Sequence, residues 1–384
     1  IKLNKQSVNY YKNSKYVIMI DRGRFLSGVT NMMVVMALNK IFKLNPLIVT
    51  DFRNPDIVEF YKSFGIYKFK LGFKYILIFK KINIFFKFLK KLFKTIYLIK
   101  KKNFEWFINK FEIDNIKIGD LIYDTYIRNN HKYLNPKVDI LFTNLLFKAI
   151  FRTFNLIEYM NLYPTSFLLI GTPGYSHNDG VALRIGLKKR IKVIEAQSHQ
   201  LIRFNSKMRT YGLDNLAYNF FKKGKKLRVK LNKVNLFLEK KNRHEITSLF
   251  TGSETFFTAN KYKRKINKIQ FLKKLNLNNR KFKKIILIAS HAFSDTPHVN
   301  GFLIFRDYYC QLKETLEFIF NQKQLDEYLW IIRPHPSCHV FNETGIVEKL
   351  VQKFTKENLR LCPKKINSQN LTEICDTVIT GRGS

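Results

Sequence analysis

The stretch Leu329-Trp330-Ile331-Ile332-Arg333-Pro334-His335-Pro336-Ser337 carries the clearest fold signal in the chain. Four apolar residues in succession predict a buried strand, and the charged and proline-rich residues after them predict that it ends in a polar loop. Further strands are predicted on either side, at 285–289, 359–361 and 377–380, with helices between them at 306–321, 344–355 and 371–375. Strands that alternate with helices at this spacing predict a parallel sheet of the Rossmann-like α/β type.

The N-terminal half shows the same alternation. Two βαβ units are predicted there, one from 16–20, 29–42 and 47–49, the other from 166–171, 178–187 and 192–195. Residues 104–165 between them are predicted to be mostly helical, with breaks at Gly119 and Pro136. We therefore expect two Rossmann-like domains, residues 1–278 with helical insertions and residues 279–384. The second is expected to be incomplete, because no helix follows its last strand.

Composition narrows the class of protein. The chain has 384 residues, of which 46% are hydrophobic, and this excludes a disordered or collagen-like chain. Its formal net charge of +41 indicates a polyanionic partner, such as nucleic acid, a phosphorylated substrate or an anionic membrane, unless the lysines reflect an AT-rich genome. The four cysteines are scattered without a C-x-x-C pair, so neither a zinc site nor a disulfide framework is predicted and a reducing cytoplasm fits best.

Polar residues follow three strands of the C-terminal domain at the ends where α/β sheets bind ligands. Small residues in such turns let backbone N–H groups reach a phosphate, histidine can donate to it, and arginine can clamp it. The candidate phosphate-binding residues are His335, Arg333, Ser337, Ser294, His298, Thr380, Gly381, Gly383 and Ser384. The alternatives are a capping or core role for His335, a surface ion pair for Arg333, and a structural turn network for His291, Asp295 and His298.

Two segments carry a family resemblance, Trp330 to Ser337 and Thr377-Val378-Ile379-Thr380-Gly381-Arg382-Gly383-Ser384. Together they resemble the C-terminal half of bacterial capsule and surface polysaccharide glycosyltransferases of the Kdo-transferase type, over about residues 284–384. The resemblance implies a GT-B fold, in which two Rossmann-like domains face each other across a cleft. It also implies a CMP-linked donor whose phosphate is held by the His-Pro motif and the Ser/Thr turn. CDP-glycerol glycerophosphotransferases share a similar His-Pro motif but a different turn.

An inverting sugar transfer needs a group that takes the proton of the acceptor hydroxyl. The N-terminal, acceptor-side domain offers three candidates, Asp124, Asp120 and Asp179. Asp120 and Asp124 are spaced i, i+4 and would share one face of a helix. The alternatives are an ion pair with Arg128 for Asp124 and a helix-start carboxylate for Asp179. Arg22 and Arg24 follow the first strand, and the absence of an Asp-x-Asp pair favours a reaction without a metal.

Residues 76–100 combine apolar residues at helical spacing with many lysines. Such a helix either lies on an anionic membrane or packs its apolar stripe on its own core. No signal peptide or uncharged membrane span is visible.

The sequence thus predicts a cytoplasmic glycosyltransferase without a cofactor, and it leaves open a peripheral attachment to the inner face of the membrane. Its partners would be a nucleotide-sugar with a Kdo- or sialic-acid-like sugar and a glycan or lipid-linked glycan acceptor, with no specific nucleic acid; the anionic inner leaflet is a further partner if the attachment exists. The alternatives are a glycerophosphotransferase and a basic, non-catalytic protein that binds nucleic acid or membrane.

Overall fold

The computed structural model describes residues 7–21, 25–50, 55–71, 82–128, 131–171, 174–176, 178–196, 201–204, 266–298, 303–363, 366 and 368–381. By its internal contacts the chain forms two compact units. The first contains residues 1–215 together with 298–302, and the second contains 216–297 together with 303–384.

The first unit is built on a six-stranded sheet in the order β3-β2-β1-β6-β7-β8. Its strands are β1 (Tyr16–Ile20), β2 (Asn45–Thr50), β3 (Phe69–Leu71), β6 (Thr165–Ile170), β7 (Lys192–Ala196) and β8 (Leu201–Phe204). All neighbouring pairs are parallel except the pair of β7 with β8, which is antiparallel. Helices α1 (Phe25–Phe42), α2 (Pro55–Ser63) and α7 (Asn178–Lys188) connect the parallel strands. Strand β1 is central and buried from Val17 to Ile20, which explains its uninterrupted apolar run.

A helical insertion separates β3 from β6. It contains α3 (Ile82–Lys102), α4 (Phe104–Lys110), a short hairpin of β4 (Glu112–Ile113) and β5 (Ile116–Lys117), α5 (Gly119–Ile127) and α6 (Ile140–Leu162). Every residue of α5 is buried. Gly119 is required where α5 begins, because a Cβ there would overlap the backbone carbonyl of Phe107. The predominantly helical character predicted for 104–165 is confirmed, and the hairpin is an addition that the apolar pattern did not indicate.

Helix α6 is long and apolar enough to cross a bilayer, the single such helix in the part of the chain that the structure describes. Half of that stretch is buried, and Asp139 caps its start by accepting the backbone N–H of Phe142. A core helix of a globular protein has the same composition, so the helix by itself does not indicate a membrane span.

The second unit contains a four-stranded parallel sheet in the order β11-β10-β9-β12. Its strands are β9 (Lys284–Ala289), β10 (Tyr328–Arg333), β11 (Leu359–Leu361) and β12 (Thr377–Thr380), and the helices of this unit are α8 (Lys268–Lys274), α9 (Tyr308–Asn321), α10 (Ile346–Val351) and α11 (Ser368–Ile374). Helix α10 is shorter than the predicted 344–355, since it begins only after Gly345, whose φ is 85°, and ends at Val351.

Helix α8 lies on the N-terminal side of the domain boundary predicted at residue 278, yet it belongs to the second unit. Phe271 and Leu277 pack in one buried cluster with Ile285, Leu287 and Leu329 of the second sheet. If α8 belonged to the N-terminal domain, these apolar side chains would not be covered by the second sheet.

The predicted α/β class is confirmed, because each unit carries a parallel sheet with helical crossovers. This organisation is consistent with a GT-B-like pair of Rossmann-like units.

Candidate functional site

The second sheet aligns three polar strand ends. Ala289 of β9 pairs with Arg333 of β10 on one side and with Thr380 of β12 on the other. The next residue, Ser290, donates both its backbone N–H and its hydroxyl to the carbonyl of Arg333, at 3.0 and 3.1 Å. The order of the strands reverses between β9 and β12, and open α/β sheets bind ligands at such points. The prediction that these strand ends lie side by side is therefore met by the register.

Three aromatic rings stack beside the ends of β9 and β10. His291 stacks on Tyr308 with ring centroids 4.3 Å apart, and on His335 with centroids 5.4 Å apart. The ring Nδ1 of His291 lies 3.2 Å from the carbonyl of Ala292, which can only accept, so this nitrogen carries the hydrogen. The stack fixes the plane of the His335 ring and makes no use of its Nε2.

His335 is neutral and has a defined tautomer. Its Nδ1 accepts the backbone N–H of Ser337 at 3.2 Å, so the ring hydrogen sits on Nε2. Burial lowers the pKa of His335, the neighbouring His291 lowers it further, and Asp295 opposes both effects. A half-buried neutral imidazole with an Nε2–H donor suits a phosphate oxygen, since it can donate one hydrogen bond without first losing a proton.

Arg333 supplies the cation at this edge. Its Nη2 donates to the carbonyl of Ile366 over 3.4 Å, and burial lowers its pKa, although a guanidinium keeps its charge in proteins. Among the residues that the structure describes, no carboxylate forms the surface ion pair that was considered for Arg333. Thr380 and Gly381 are exposed, and a Cβ on Gly381 would overlap the side-chain amide of Gln311. Gly383 and Ser384 lie outside the described residues.

Glu343 ties the loop after β9 to the loop after β10. Its carboxylate is 3% exposed and accepts the backbone N–H of Phe293, the backbone N–H of Ser294 and the hydroxyl of Ser294, at 2.8, 2.8 and 2.7 Å. The Ser294 hydroxyl hydrogen is therefore committed to Glu343, although its oxygen can still accept. The sequence analysis did not select Glu343, and the one signal for it was an acidic residue shortly after the His-Pro motif.

Helix α9, which follows β9, does not offer an open N-terminus. The carboxylate of Asp307 accepts the backbone N–H of Cys310 at 2.8 Å and also accepts from Arg306 at 2.9 Å. A buried carboxylate in this position takes one of the N–H donors at the helix start and places a negative charge there, which disfavours a second anion. The predicted phosphate ligands at this edge are therefore side chains and not this helix.

In the first unit, Asp124 and His298 form a buried pair. Asp124 is fully buried in α5 and accepts the backbone N–H of His298 at 3.0 Å, while its other oxygen lies 2.6 Å from the ring Nδ1. Burial raises the pKa of Asp124, the hydrogen bonds and charge of His298 lower it, and the net direction is upward. In a neutral His298 whose Nδ1 donates to the carboxylate, Nε2 is the nitrogen that carries the lone pair. The partner of Asp124 is therefore His298, and not the Arg128 considered from the sequence.

Asp120 lies one helical turn before Asp124 and faces Arg184 of α7. One carboxylate oxygen accepts from Arg184 Nη1 and the other accepts from Nη2 at 2.8 Å, a two-pronged pair in which both side chains are almost completely buried. Burial raises the pKa of Asp120, but the Arg184 charge and hydrogen bonds outweigh it, so the pKa lies below its usual range. This geometry links α5 to α7 and leaves Asp120 less suited than Asp124 to accept a proton.

Asp179 lies in the first turn of α7 and accepts the backbone N–H of Gly171 at 2.8 Å, which ties the end of β6 to the helix. Nearby, the hydroxyls of Thr125 and Ser176 lie 2.9 Å apart and join α5 to the same loop. The helix-start role considered for Asp179 agrees with this contact, and its catalytic role stays a prediction.

Asp21 was not selected from the sequence. It follows β1 directly and is 5% exposed, and its carboxylate accepts from Thr50 and from Tyr61, both at 2.9 Å. Burial and the charge of Asp21 raise the pKa of Tyr61. The signal for Asp21 in the sequence was an acidic residue at the end of the central strand. Arg22 and Arg24 are not among the described residues.

Within the described ranges, no group of three or more His, Cys, Asp or Glu side chains is placed to hold a metal ion. No protein-family model and no curated protein matches the chain. Among solved structures, the chain is similar to one described as "Crystal structure of UDP-N-acetylglucosamine 2-epimerase". The match has 10% sequence identity and a TM-score of 0.24, and it covers 97% of this chain and 75% of the other.

Proposed function

We propose that this protein is a glycosyltransferase that moves a sugar from a nucleotide-sugar donor to a surface polysaccharide acceptor. The donor would be CMP-linked and carry a Kdo- or sialic-acid-like sugar. The observation that carries the proposal is the neutral His335 with its Nε2–H, next to Arg333 at the strand ends of the second sheet. A donor phosphate would accept from His335 and pair with Arg333, so that both stabilise the charge that develops on the departing phosphate.

The buried pair of Asp124 and His298 supports a base for the same reaction. His298 Nε2 would take the proton of the acceptor hydroxyl while the hydroxyl oxygen bonds to the anomeric carbon. The bond from that carbon to the phosphate oxygen breaks, and the nucleotide leaves with the electron pair. Asp124 would hold the ring in the tautomer that this step needs and stabilise the imidazolium that forms. The proposal thus reverses the roles predicted from the sequence, where Asp124 was the base and His298 a phosphate ligand.

The donor site is tested by thermal stabilisation with cytidine and uridine nucleotides. We expect cytidine nucleotides to raise the melting temperature and His335→Ala to abolish that increase, while His339→Ala, an exposed histidine four residues away, keeps it. A melting temperature that no nucleotide raises, or an increase that survives in His335→Ala, contradicts the donor site.

The base is tested separately by rate. Asp124→Asn and His298→Gln should lower the rate of sugar transfer by about 10²- to 10⁴-fold and keep the nucleotide-induced stabilisation. Asp56→Asn removes an exposed carboxylate and should change neither. Mass analysis of the product separates sugar transfer from glycerophosphate transfer, because the second reaction adds phosphorus to the acceptor.

A further inference from the structure

Helix α3 has one face in the core of the first unit. Phe88, Leu92 and Ile99 are buried along it, at 1%, 8% and 3% exposure. The ring of Phe88 packs on Phe147 and Phe151 of α6, with centroids 4.9 and 6.2 Å away. This buried face is the apolar face that an ordinary surface helix would have.

The opposite face of α3 is also aromatic. Phe86, Phe93 and Tyr97 are 63%, 66% and 62% exposed, and their spacing of seven and four residues places them on one side of the helix. The outer face of a surface helix normally carries polar residues, so a stripe of exposed aromatic rings is unusual there.

The charges around this stripe have a single sign. Helix α3 contains no acidic residue, and Lys90, Lys94 and Lys101 are exposed on the same side as the aromatic rings. Lys91 is different, because it lies over the ring of Phe111, 5.3 Å from the centroid, and burial lowers its pKa. The outer face therefore presents aromatic rings between cations.

An apolar groove continues this surface toward α6. The groove is open, measures about 620 Å³, and is lined among others by Ile96 and Lys100 of α3, by Ile140 and Phe147 of α6, and by one acidic residue, Asp139. Ile140 is 90% exposed. Aromatic and aliphatic side chains thus extend from the middle of α3 to the start of α6.

We infer that this surface, the outer face of α3 with the adjoining groove, docks on an anionic lipid bilayer. The rings of Phe93 and Tyr97 would enter the boundary between headgroups and acyl chains, while Lys90 and Lys94 contact lipid phosphates. Charge complementarity selects this partner, because an acid-free lysine helix is attracted to an anionic surface and its aromatic rings gain from leaving water there. The inference goes beyond the proposed function and does not depend on it.

The experiment is vesicle sedimentation at physiological salt, with phosphatidylcholine alone and with phosphatidylcholine plus phosphatidylglycerol. With a net charge of +41, weak binding through any face is expected, so matched variants decide the result. Lys90→Glu with Lys94→Glu should weaken binding at least about tenfold, since each lysine at an anionic surface contributes a factor of about five. Lys273→Glu with Lys274→Glu makes the same charge change on exposed residues of α8 and should cost much less.

A second pair of variants tests the aromatic rings. Phe93→Ser with Tyr97→Ser should weaken binding about tenfold, whereas Tyr67→Ser with Phe318→Ser, which removes exposed rings elsewhere, should not. Unchanged melting temperatures show that the variants fold. Equal binding by the α3 variants and their controls overturns the proposal, as does equal binding to the neutral vesicles.

Fluorescence gives an independent measure of depth. Phe93→Trp should be quenched by brominated phosphatidylcholine in the anionic vesicles, and Phe318→Trp, at an exposed position of α9, should not. Absence of quenching at position 93 overturns the proposal. Competition with a single-stranded oligonucleotide can also overturn it. If the oligonucleotide displaces the vesicles and Phe93→Ser binds the oligonucleotide as tightly as the wild type does, the face binds nucleic acid through charge alone.

Discussion

Removal of the Glu343 carboxylate is expected to release the loop that follows β9. Glu343→Ala deprives two buried backbone N–H groups and one hydroxyl of their acceptor, at distances of 2.7 to 2.8 Å. Hydrogen bonds to a charged group contribute about 1.5–3 kcal/mol each, but water can reach part of an opened loop and the losses are not additive. We therefore expect a local loss of about 3–5 kcal/mol, and about 2 kcal/mol for Glu343→Gln, which keeps one acceptor oxygen.

Hydrogen exchange measured by mass spectrometry reports this loss directly. A local loss of 3–5 kcal/mol corresponds to exchange about two to four orders of magnitude faster, here in peptides covering residues 290–298. Stabilisation by cytidine nucleotides should fall in parallel, because the same loop carries His291, which stacks on His335. Glu348→Ala serves as the control, since it removes the same charge from a partly exposed position on α10.

The reasoning is refuted if exchange in residues 290–298 of Glu343→Ala stays within a factor of about two of the wild type. It is also refuted if Glu348→Ala accelerates exchange there to the same extent, because the effect would then come from net charge and not from the three hydrogen bonds.

Three further outcomes are expected. Arg184→Met should destabilise the first unit by about 3–5 kcal/mol in chemical unfolding, because it leaves the Asp120 carboxylate buried without its cation, and adding Asp120→Leu should recover most of the loss. Burial lowers the pKa of His335, so the stability that its neutral ring contributes is complete above a pH of about 6.5 and is lost as the pH falls through the lowered value. Between about pH 7.5 and about pH 5, the melting temperature of the wild type should therefore fall more than that of His335→Gln. Gly119→Ala meets a fixed backbone carbonyl and should cost more than about 3 kcal/mol, whereas Gly381→Ala meets a movable side chain and should cost under about 1 kcal/mol, as thermal melts of both would show.

The alternating strands and helices of both units could be predicted from the sequence, because their burial imposes a simple pattern of apolar residues. Strands β1, β9 and β10 are covered on both faces, so each appears as an apolar run that ends in polar residues. The β4–β5 hairpin could not be predicted, since strands of two residues have no periodicity. The placement of α8 was missed for a related reason, because local pattern does not tell which sheet covers Phe271.

The candidate site was predictable where strand order alone brings residues together. The alignment of Arg333 with Ala289 and Thr380 follows from a parallel sheet, and so the meeting of these strand ends at one edge could be predicted. The pairing of Asp124 with His298 spans 174 positions and depends on tertiary structure. Likewise, only the folded loops show that Glu343 accepts from Ser294.

The assignment of residues 298–302 to the first unit has a practical consequence for any attempt to divide the gene. Expression of 1–215 alone would leave the buried carboxylate of Asp124 without the imidazole of His298, with which it pairs. A split at that point places Asp124 and His298 on separate polypeptides, and the pair should form again only when the two halves are supplied together as complementing fragments.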